Sequence, residues 1–200
     1  MAWKKYGAVG AAILLMTLSA AGPALAHMGS DNASGGFFSG FTHPLLGPDH
    51  VIAMVAVGLW GFFLGAPAIW VLPIVFPLVM ALGGVFGMLE VQLPMVETGI
   101  SLSAVVLGLC VAFAAKPPLW VAALIVGAFA IFHGYAHGAE MPAASNAVSY
   151  ALGFVIATGL LHLCGIAFGL LARWPAGKVA VRAAGVLIAV AGGAYLTGLA

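Results

Sequence analysis

Charged residues are scarce in this sequence, at 6% of the chain. Its 200 residues include six Lys or Arg, five Asp or Glu and six His, while 64% of the chain is hydrophobic. The mean hydropathy is +1.20. A water-soluble domain needs far more polar residues to cover its surface. The composition therefore excludes a soluble protein and predicts an integral membrane protein.

Further absences exclude several kinds of function. The chain has no cluster of Lys or Arg with which to bind a nucleic acid, and its net charge is only +1. It has neither a GxxxxGK[ST] loop nor a soluble domain to carry one, so we expect no nucleotide partner. Cys110 and Cys164 lie within apolar runs, where we expect small hydrophobic residues and no disulfide.

Residues 1–26 have the pattern of a cleaved signal peptide. Lys4 and Lys5 precede an apolar stretch, and Ala24-Leu25-Ala26 provides a cleavage site. Cleavage would leave His27 at the new N-terminus, where its α-amine and imidazole could chelate a metal together. An uncleaved anchor helix is the alternative. Residues 27–45 are predicted to form a periplasmic segment, and 27–40, rich in Gly, Ser and Asn, should be exposed and mobile.

Residues 46–200 are predicted to form an all-α domain, a bundle of six transmembrane helices. Polar residues, Pro and Gly divide this region into apolar segments of about 20 residues, the length that crosses a bilayer. Helices are expected because lipid offers no water to satisfy open backbone groups. The predicted spans are about 46–65, 68–89, 98–115, 119–139, 147–171 and 181–199.

The charged residues between the spans predict the orientation. The basic ones fall in loops on one common side: Lys116, Arg173, Lys178 and Arg182. The acidic ones fall on the other side: Asp31, Glu90, Glu97 and Glu140. Because basic loops face the cytoplasm, both ends of the mature chain are expected in the periplasm, in agreement with the export signal.

Ionisable residues in apolar spans are costly and usually mark a working site. His133 and His137 lie four apart on the fourth predicted span and share a helix face, with Glu140 one turn beyond His137. Two imidazoles and a carboxylate suit nickel, cobalt and zinc alike. The motif therefore predicts metal or proton handling.

A second group lies at the outer end of the first predicted span, at the same predicted depth. It contains His43, Asp49 and His50, and Asp49 could be a ligand or could orient a histidine. Pro44, Gly47 and Pro48 are expected to keep this segment out of a regular helix.

His162 stands alone in the fifth predicted span, nearer the inner side. It is either a core residue bonded to Thr158, one turn earlier, or a step on an inward metal path; both interpretations stay open. Glycines spaced four apart predict close helix packing, within one protomer or between copies in a homo-oligomer. The pairs are Gly61/Gly65, Gly83/Gly87, Gly134/Gly138 and Gly165/Gly169.

Taken together, these motifs resemble the HupE/UreJ family of bacterial metal permeases. The similarity runs in order through the signal peptide ending ALA-H and the segments HPLLGPDHVIAMVAVGLWG, HGYAHGAEMP and GLLHLCG, over nearly the whole mature chain. The resemblance implies uptake of nickel, or in some members cobalt, across the inner membrane. It also implies a metal pathway, with His27 matching the histidine that commonly follows the family's signal peptide. The pathway residues are His43, Asp49, His50, His133, His137 and Glu140.

The sequence thus predicts a secondary permease and no enzyme, with Ni²⁺ or Co²⁺ as its cargo and no prosthetic group. The metal site is expected between the first and fourth predicted spans, and His162 would receive the ion on its way in. The main alternative is a membrane-embedded zinc hydrolase, which would use the same ligands around an activated water. A third possibility is a subunit that holds a metal without moving it.

Overall fold

The computed structural model describes residues 36–141 and 146–199, and all its regular elements in these ranges are helices. A short 3₁₀ segment, Leu170–Arg173, joins the last two α-helices. In chain order the α-helices are α1 (Gly36–Leu46), α2 (Pro48–Leu64), α3 (Ala68–Met88), α4 (Val96–Ala112), α5 (Leu119–Ala139), α6 (Ala147–Gly169) and α7 (Pro175–Thr197). The predicted signal peptide, His27 and Asp31 lie outside the described residues.

Each of the six predicted spans overlaps one apolar helix, but the helices differ in length. Four are long and apolar enough to cross a membrane: α3, α5, α7, and α6 with its 3₁₀ extension. Helices α1 and α2 together would make a fifth, although they are bent by 83° at their junction. Helix α4 is apolar but has only 17 residues. These helices confirm the membrane character of the protein. They do not confirm the prediction of six full spans.

The N-terminal segment differs from the prediction. Residues 36–40, expected in the mobile linker, form the first half of α1, and Pro44 lies inside the same helix. The reason is tertiary packing: a Cβ on Gly40 would overlap the backbone of Tyr150 in α6, so the two helices are in close backbone contact. Such contact outweighs weak helix propensity. Pro48 opens α2 at its first turn, where a missing N–H costs nothing.

Helix α7 begins earlier than predicted, at Pro175 instead of residue 181. Proline suits the first position of a helix for the same reason as Pro48. Lys178 and Arg182 were expected in a loop. They lie inside α7 instead. The Arg182 Nε–H donates a 2.6 Å hydrogen bond to the carbonyl of Ala112, at the C-terminal end of α4. This cation satisfies a carbonyl that the end of α4 leaves open.

Glycines bring the helices together within one protomer. A Cβ on Gly83 would overlap the carbonyl of Ile131 in α5, and a Cβ on Gly134 would overlap that of Met80 in α3. Helices α2 and α6 meet in the same way, because a Cβ on Gly165 would overlap the carbonyl of Val55. The prediction of close packing is confirmed at these positions. Helix pairs α3/α5 and α2/α6 are consequently fixed with backbones nearly touching.

One end of the bundle is marked by tryptophan and basic residues. Trp70, Trp120 and Trp174 lie near the starts of α3, α5 and α7, with exposed fractions of 59%, 69% and 60%. We call this the basic end, because Lys116 and Arg173 lie in its connections. Exposed tryptophans at helix ends are typical of a membrane–water interface. The opposite end is the acidic end, where Glu90, Glu97 and Glu140 lie.

Candidate metal centre

The histidines of the two sequence motifs converge at the acidic end. His43 comes from the last turn of α1, His50 from the first turn of α2, and His133 and His137 from the second half of α5. The distances between ring centroids are 4.7 Å for His43–His137, 4.4 Å for His50–His137 and 4.8 Å for His50–His133. Four imidazoles in the order His43, His137, His50, His133 therefore form one continuous line of contacts, which we call the histidine row.

The 83° bend between α1 and α2 is what allows this convergence. A straight helix would place His43 and His50 seven residues and about 10 Å apart along one axis. The bend instead turns α1 away from α2 and lays it along α6. Both histidines then reach His137, one from each side of the junction.

The histidine row leads from the surface into the core. The His43 side chain is 22% exposed, and its Nε2 lies 3.2 Å from Oε2 of Glu140, whose side chain is 53% exposed. His137 is 5% exposed and His133 is fully buried. One end of the row thus meets solvent beside a carboxylate, and the other end is closed off in the protein interior.

Three residues at the exposed end could share one metal ion. His43, His137 and Glu140 each offer a ligand atom, and the three atoms lie within 4.8 Å of one another. This separation is somewhat wider than twice a zinc–nitrogen bond of about 2.1 Å, the widest span across a single ion, so the side chains would close slightly around an ion. Two imidazoles and one carboxylate make a donor set suited to borderline divalent metals.

Several nitrogens of the row are buried without a hydrogen-bond partner among the described residues. They are both nitrogens of His137, Nε2 of His50 and Nδ1 of His133. Buried polar atoms nearly always have partners, because an unmade hydrogen bond costs free energy. A neutral imidazole also carries one nitrogen with a free lone pair. The row therefore presents lone pairs that a cation could use.

Two neighbours decide which nitrogens carry those lone pairs. Asp49 Oδ1 accepts a hydrogen bond of 2.9 Å from Nδ1 of His50, which leaves Nε2 of that ring as the acceptor. The Ser103 hydroxyl donates to the Ile100 carbonyl at 2.6 Å, so at 2.9 Å it accepts from Nε2 of His133. Nδ1 of His133 then holds the lone pair. These bonds assign the tautomers in the way that partners of metal-binding histidines commonly do.

Of the two roles left open for Asp49, the geometry favours the orienting one. Ser103 and Phe154, whose ring centroid lies 4.2 Å from that of His137, were not predicted. The sequence signal for Ser103 is a hydroxyl residue inside an apolar helix, in the segment ISLSA. Phe154 gave no signal, since a phenylalanine in an apolar helix is ordinary.

His162 is fully buried but is not part of the row. Its ring contacts Phe76, with centroids 5.3 Å apart, and Phe76 in turn contacts His133 at 5.5 Å. The bond between His162 and Thr158 that one interpretation proposed is not formed. Neither nitrogen of His162 has a hydrogen-bond partner in the described part of the chain, and the Thr158 hydroxyl has none there either. Thr158 is therefore not the partner that would make His162 a satisfied core residue, and the backbone group beside the ring is that of Pro73.

Comparisons with known proteins agree with the family seen in the motifs. The family model described as HupE / UreJ protein matches residues 14–195. Protein HupE of Rhizobium leguminosarum bv. viciae is 48% identical over 176 residues, which cover 88% of this chain and 92% of the relative. No solved structure matches the chain significantly.

Proposed function

Since the chain belongs to the HupE/UreJ family, which is associated with nickel and cobalt transport, we propose that it is a secondary permease for Ni²⁺ or Co²⁺. It takes up the ion across the bacterial inner membrane, with the acidic end facing the periplasm. The observation that carries this proposal is the histidine row, because it connects a solvent-exposed carboxylate to a buried imidazole without a break.

The exposed end of the row captures the ion. Glu140 supplies negative charge at the surface, and His43 and His137 lie beside it. Their nitrogens replace water molecules of the hydrated ion, as borderline metals readily exchange water for imidazole. The ion then passes to His50 and His133, whose free nitrogens are set by Asp49 and Ser103.

The membrane potential is a sufficient source of energy. Moving one elementary charge through 100 mV is worth about 2.3 kcal/mol, so a divalent ion gains about 4.6 kcal/mol. Proton exchange through the histidines could add to this. Direct nucleotide use has no support in the sequence, which lacks the phosphate-binding loop.

The geometry supports a path better than a hydrolytic site. A zinc hydrolase holds one ion with three protein ligands and keeps a fourth position open for water. Here the row of imidazoles begins at His43, whose side chain is 22% exposed, and ends at the fully buried His133. A permease needs such successive donors, because an ion must leave each site as readily as it enters.

The test is uptake of radioactive nickel and cobalt into sealed vesicles that contain the purified protein, with and without an imposed potential. His137→Ala should abolish uptake, since His137 contacts both His43 and His50. Tyr135→Phe is the control, because it changes the same helix outside the row. Tight binding without flux would indicate a metal-holding protein and contradict the proposal.

A further inference from the structure

We propose that the chain carries a second, inner cation site formed by the His162 imidazole, the Thr158 hydroxyl and the backbone carbonyl of Pro73. The transported divalent ion would occupy it after leaving the histidine row. This inference rests on the proposed function, because it names the next station on the same path. It is distinct from the histidine row, to which none of the three groups belongs.

Two of the donors are buried polar side chains without partners. His162 and Thr158 are both 0% exposed, and both His162 nitrogens and the Thr158 hydroxyl lack a hydrogen-bond partner in residues 36–141 and 146–199. The two residues lie four apart on α6 and therefore share one face of the helix. A threonine inside a helix commonly donates to the carbonyl four residues earlier, and Thr158 does not. Both side chains are consequently available to a ligand.

The third donor is a carbonyl that the sequence of α3 leaves open. In an α-helix the carbonyl of residue 73 would accept the N–H of residue 77. Residue 77 is proline, which has no N–H, so this bond cannot form. The Pro73 backbone lies beside the His162 ring, without a hydrogen bond of ordinary geometry to it. Pro77 thus leaves a backbone oxygen of α3 without its helix partner, close to His162.

The chemistry of these donors suits a transit site. One nitrogen and two oxygens can bind a divalent transition metal, but none of the three groups is charged. The histidine row, in contrast, has Glu140 and Asp49 within hydrogen-bonding distance of its imidazoles. An uncharged site in the protein interior holds an ion more weakly than one with a carboxylate. Ions would therefore rest at the row and pass through the inner site.

Phe76 connects the two sites. Its fully buried ring contacts His133, the innermost member of the row, and His162 on the other side. The His162 half of α6 also points toward the basic end of the bundle, since α6 begins at the acidic end. An ion that leaves His133 inward would thus meet His162 next.

Three substitutions remove one donor each. His162→Gln removes the imidazole, and Thr158→Val removes the hydroxyl with little change of shape. Pro77→Ala supplies the missing N–H, which would recapture the carbonyl of residue 73. Each should slow Ni²⁺ uptake into vesicles by roughly tenfold, the effect of about 1.4 kcal/mol. The affinity of the histidine row for Co²⁺, measured by equilibrium dialysis, should stay unchanged.

Two control variants match the chemistry of the changes. Thr197→Val removes a threonine hydroxyl from α7, where it bonds to the carbonyl of Gly193. Pro175→Ala replaces the proline at the first turn of α7. Both lie outside the two sites and should transport nickel at the wild-type rate.

The outcomes separate this inference from the proposed function. At high Co²⁺ the wild type should bind one ion more than His162→Gln does. If that extra ion is seen while the wild type moves no nickel, the inner site stands and the permease is contradicted. If the wild type transports nickel and His162→Gln transports it equally fast, the permease stands and the inner site is overturned. A Pro77→Ala effect without a His162→Gln effect would also overturn it.

Discussion

Two histidines of the row are held by neighbours that need not touch an ion themselves. The carboxylate of Asp49 and the hydroxyl of Ser103 each bond to one ring nitrogen, and so leave the other nitrogen with its lone pair. Without such a partner a histidine can adopt either tautomer and several ring orientations. At the scale of the residue, the chemistry of the row is therefore set by side chains that lie one step outside it.

Ser103→Ala tests this control of the tautomer. It removes the acceptor for Nε2–H of His133, so the proton can move to Nδ1 and block the lone pair. We expect the affinity for Co²⁺ to fall by about tenfold, within the range seen for partners of metal-binding histidines. The measurement is a Co²⁺ titration followed by its visible absorption. Ser101→Ala, a buried serine on the same helix, is the control, and an equal loss there would mean that α4 is simply perturbed.

Asp49 can be tested by separating its charge from its hydrogen bond. Asp49→Asn keeps an oxygen that accepts from Nδ1 of His50, whereas Asp49→Ala removes it. If orientation is the main role, Asp49→Ala should lower metal affinity by about 10- to 100-fold. Asp49→Asn should lower it much less. Equal losses in binding and in nickel uptake would show that the negative charge matters and that orientation does not.

At the scale of the element, hydropathy predicted where the helices are but not where tertiary contact extends them. The apolar segments predicted for α3 and α5 agree with the structure to within one residue. Helix α1 was missed because GGFFSGF is rich in glycine and reads as a linker. Gly36 and Gly40 are instead what lets α1 lie directly against the backbone of α6. Local propensity could not reveal this, since the partner helix begins a hundred residues later.

The contact between α3 and α5 predicts a steep cost for adding a methyl group. A Cβ on Gly134 would overlap the carbonyl of Met80, which is backbone and cannot move aside alone. Gly134→Ala should therefore destabilise the protein by about 1–3 kcal/mol or more, the usual cost of overpacking. It should lower the Tm in detergent and also disturb His133, its neighbour in sequence. Thermal unfolding followed by circular dichroism measures this.

Gly127→Ala is the matched control for that change. It lies on the same helix, and its added Cβ would be in ordinary contact, 3.7 Å from a methyl of Val79. Alanine is also the better helix former, so this variant should be as stable as the wild type or more so. A Tm for Gly134→Ala equal to that of Gly127→Ala would disprove the close contact between α3 and α5.

At the scale of the whole molecule, the residues of the row and their convergence were predictable, and the order of their contacts was not. Residue type and helical spacing placed His133 and His137 on one face of α5, and the structure confirms it. No sequence pattern contains the 83° bend that brings His43 to His137. Nor does spacing show that the Pro73 backbone in α3 lies beside His162 in α6. Both facts depend on which helices pack together, and the packing is decided by contacts distant in sequence.

The direction of transport depends on which end of the bundle faces out. The basic residues Lys116 and Arg173 lie at the end with the exposed tryptophans, and loops of that kind stay in the cytoplasm. Single cysteines can test this in a background where Cys110 and Cys164 are replaced by alanine. Gln92→Cys, in the exposed connection between α3 and α4, should react with a membrane-impermeant maleimide in intact spheroplasts. Lys116→Cys should react only after the membrane is opened. The reverse pattern would place the histidine row at the cytoplasmic face, and the protein would then be oriented for export and not for uptake.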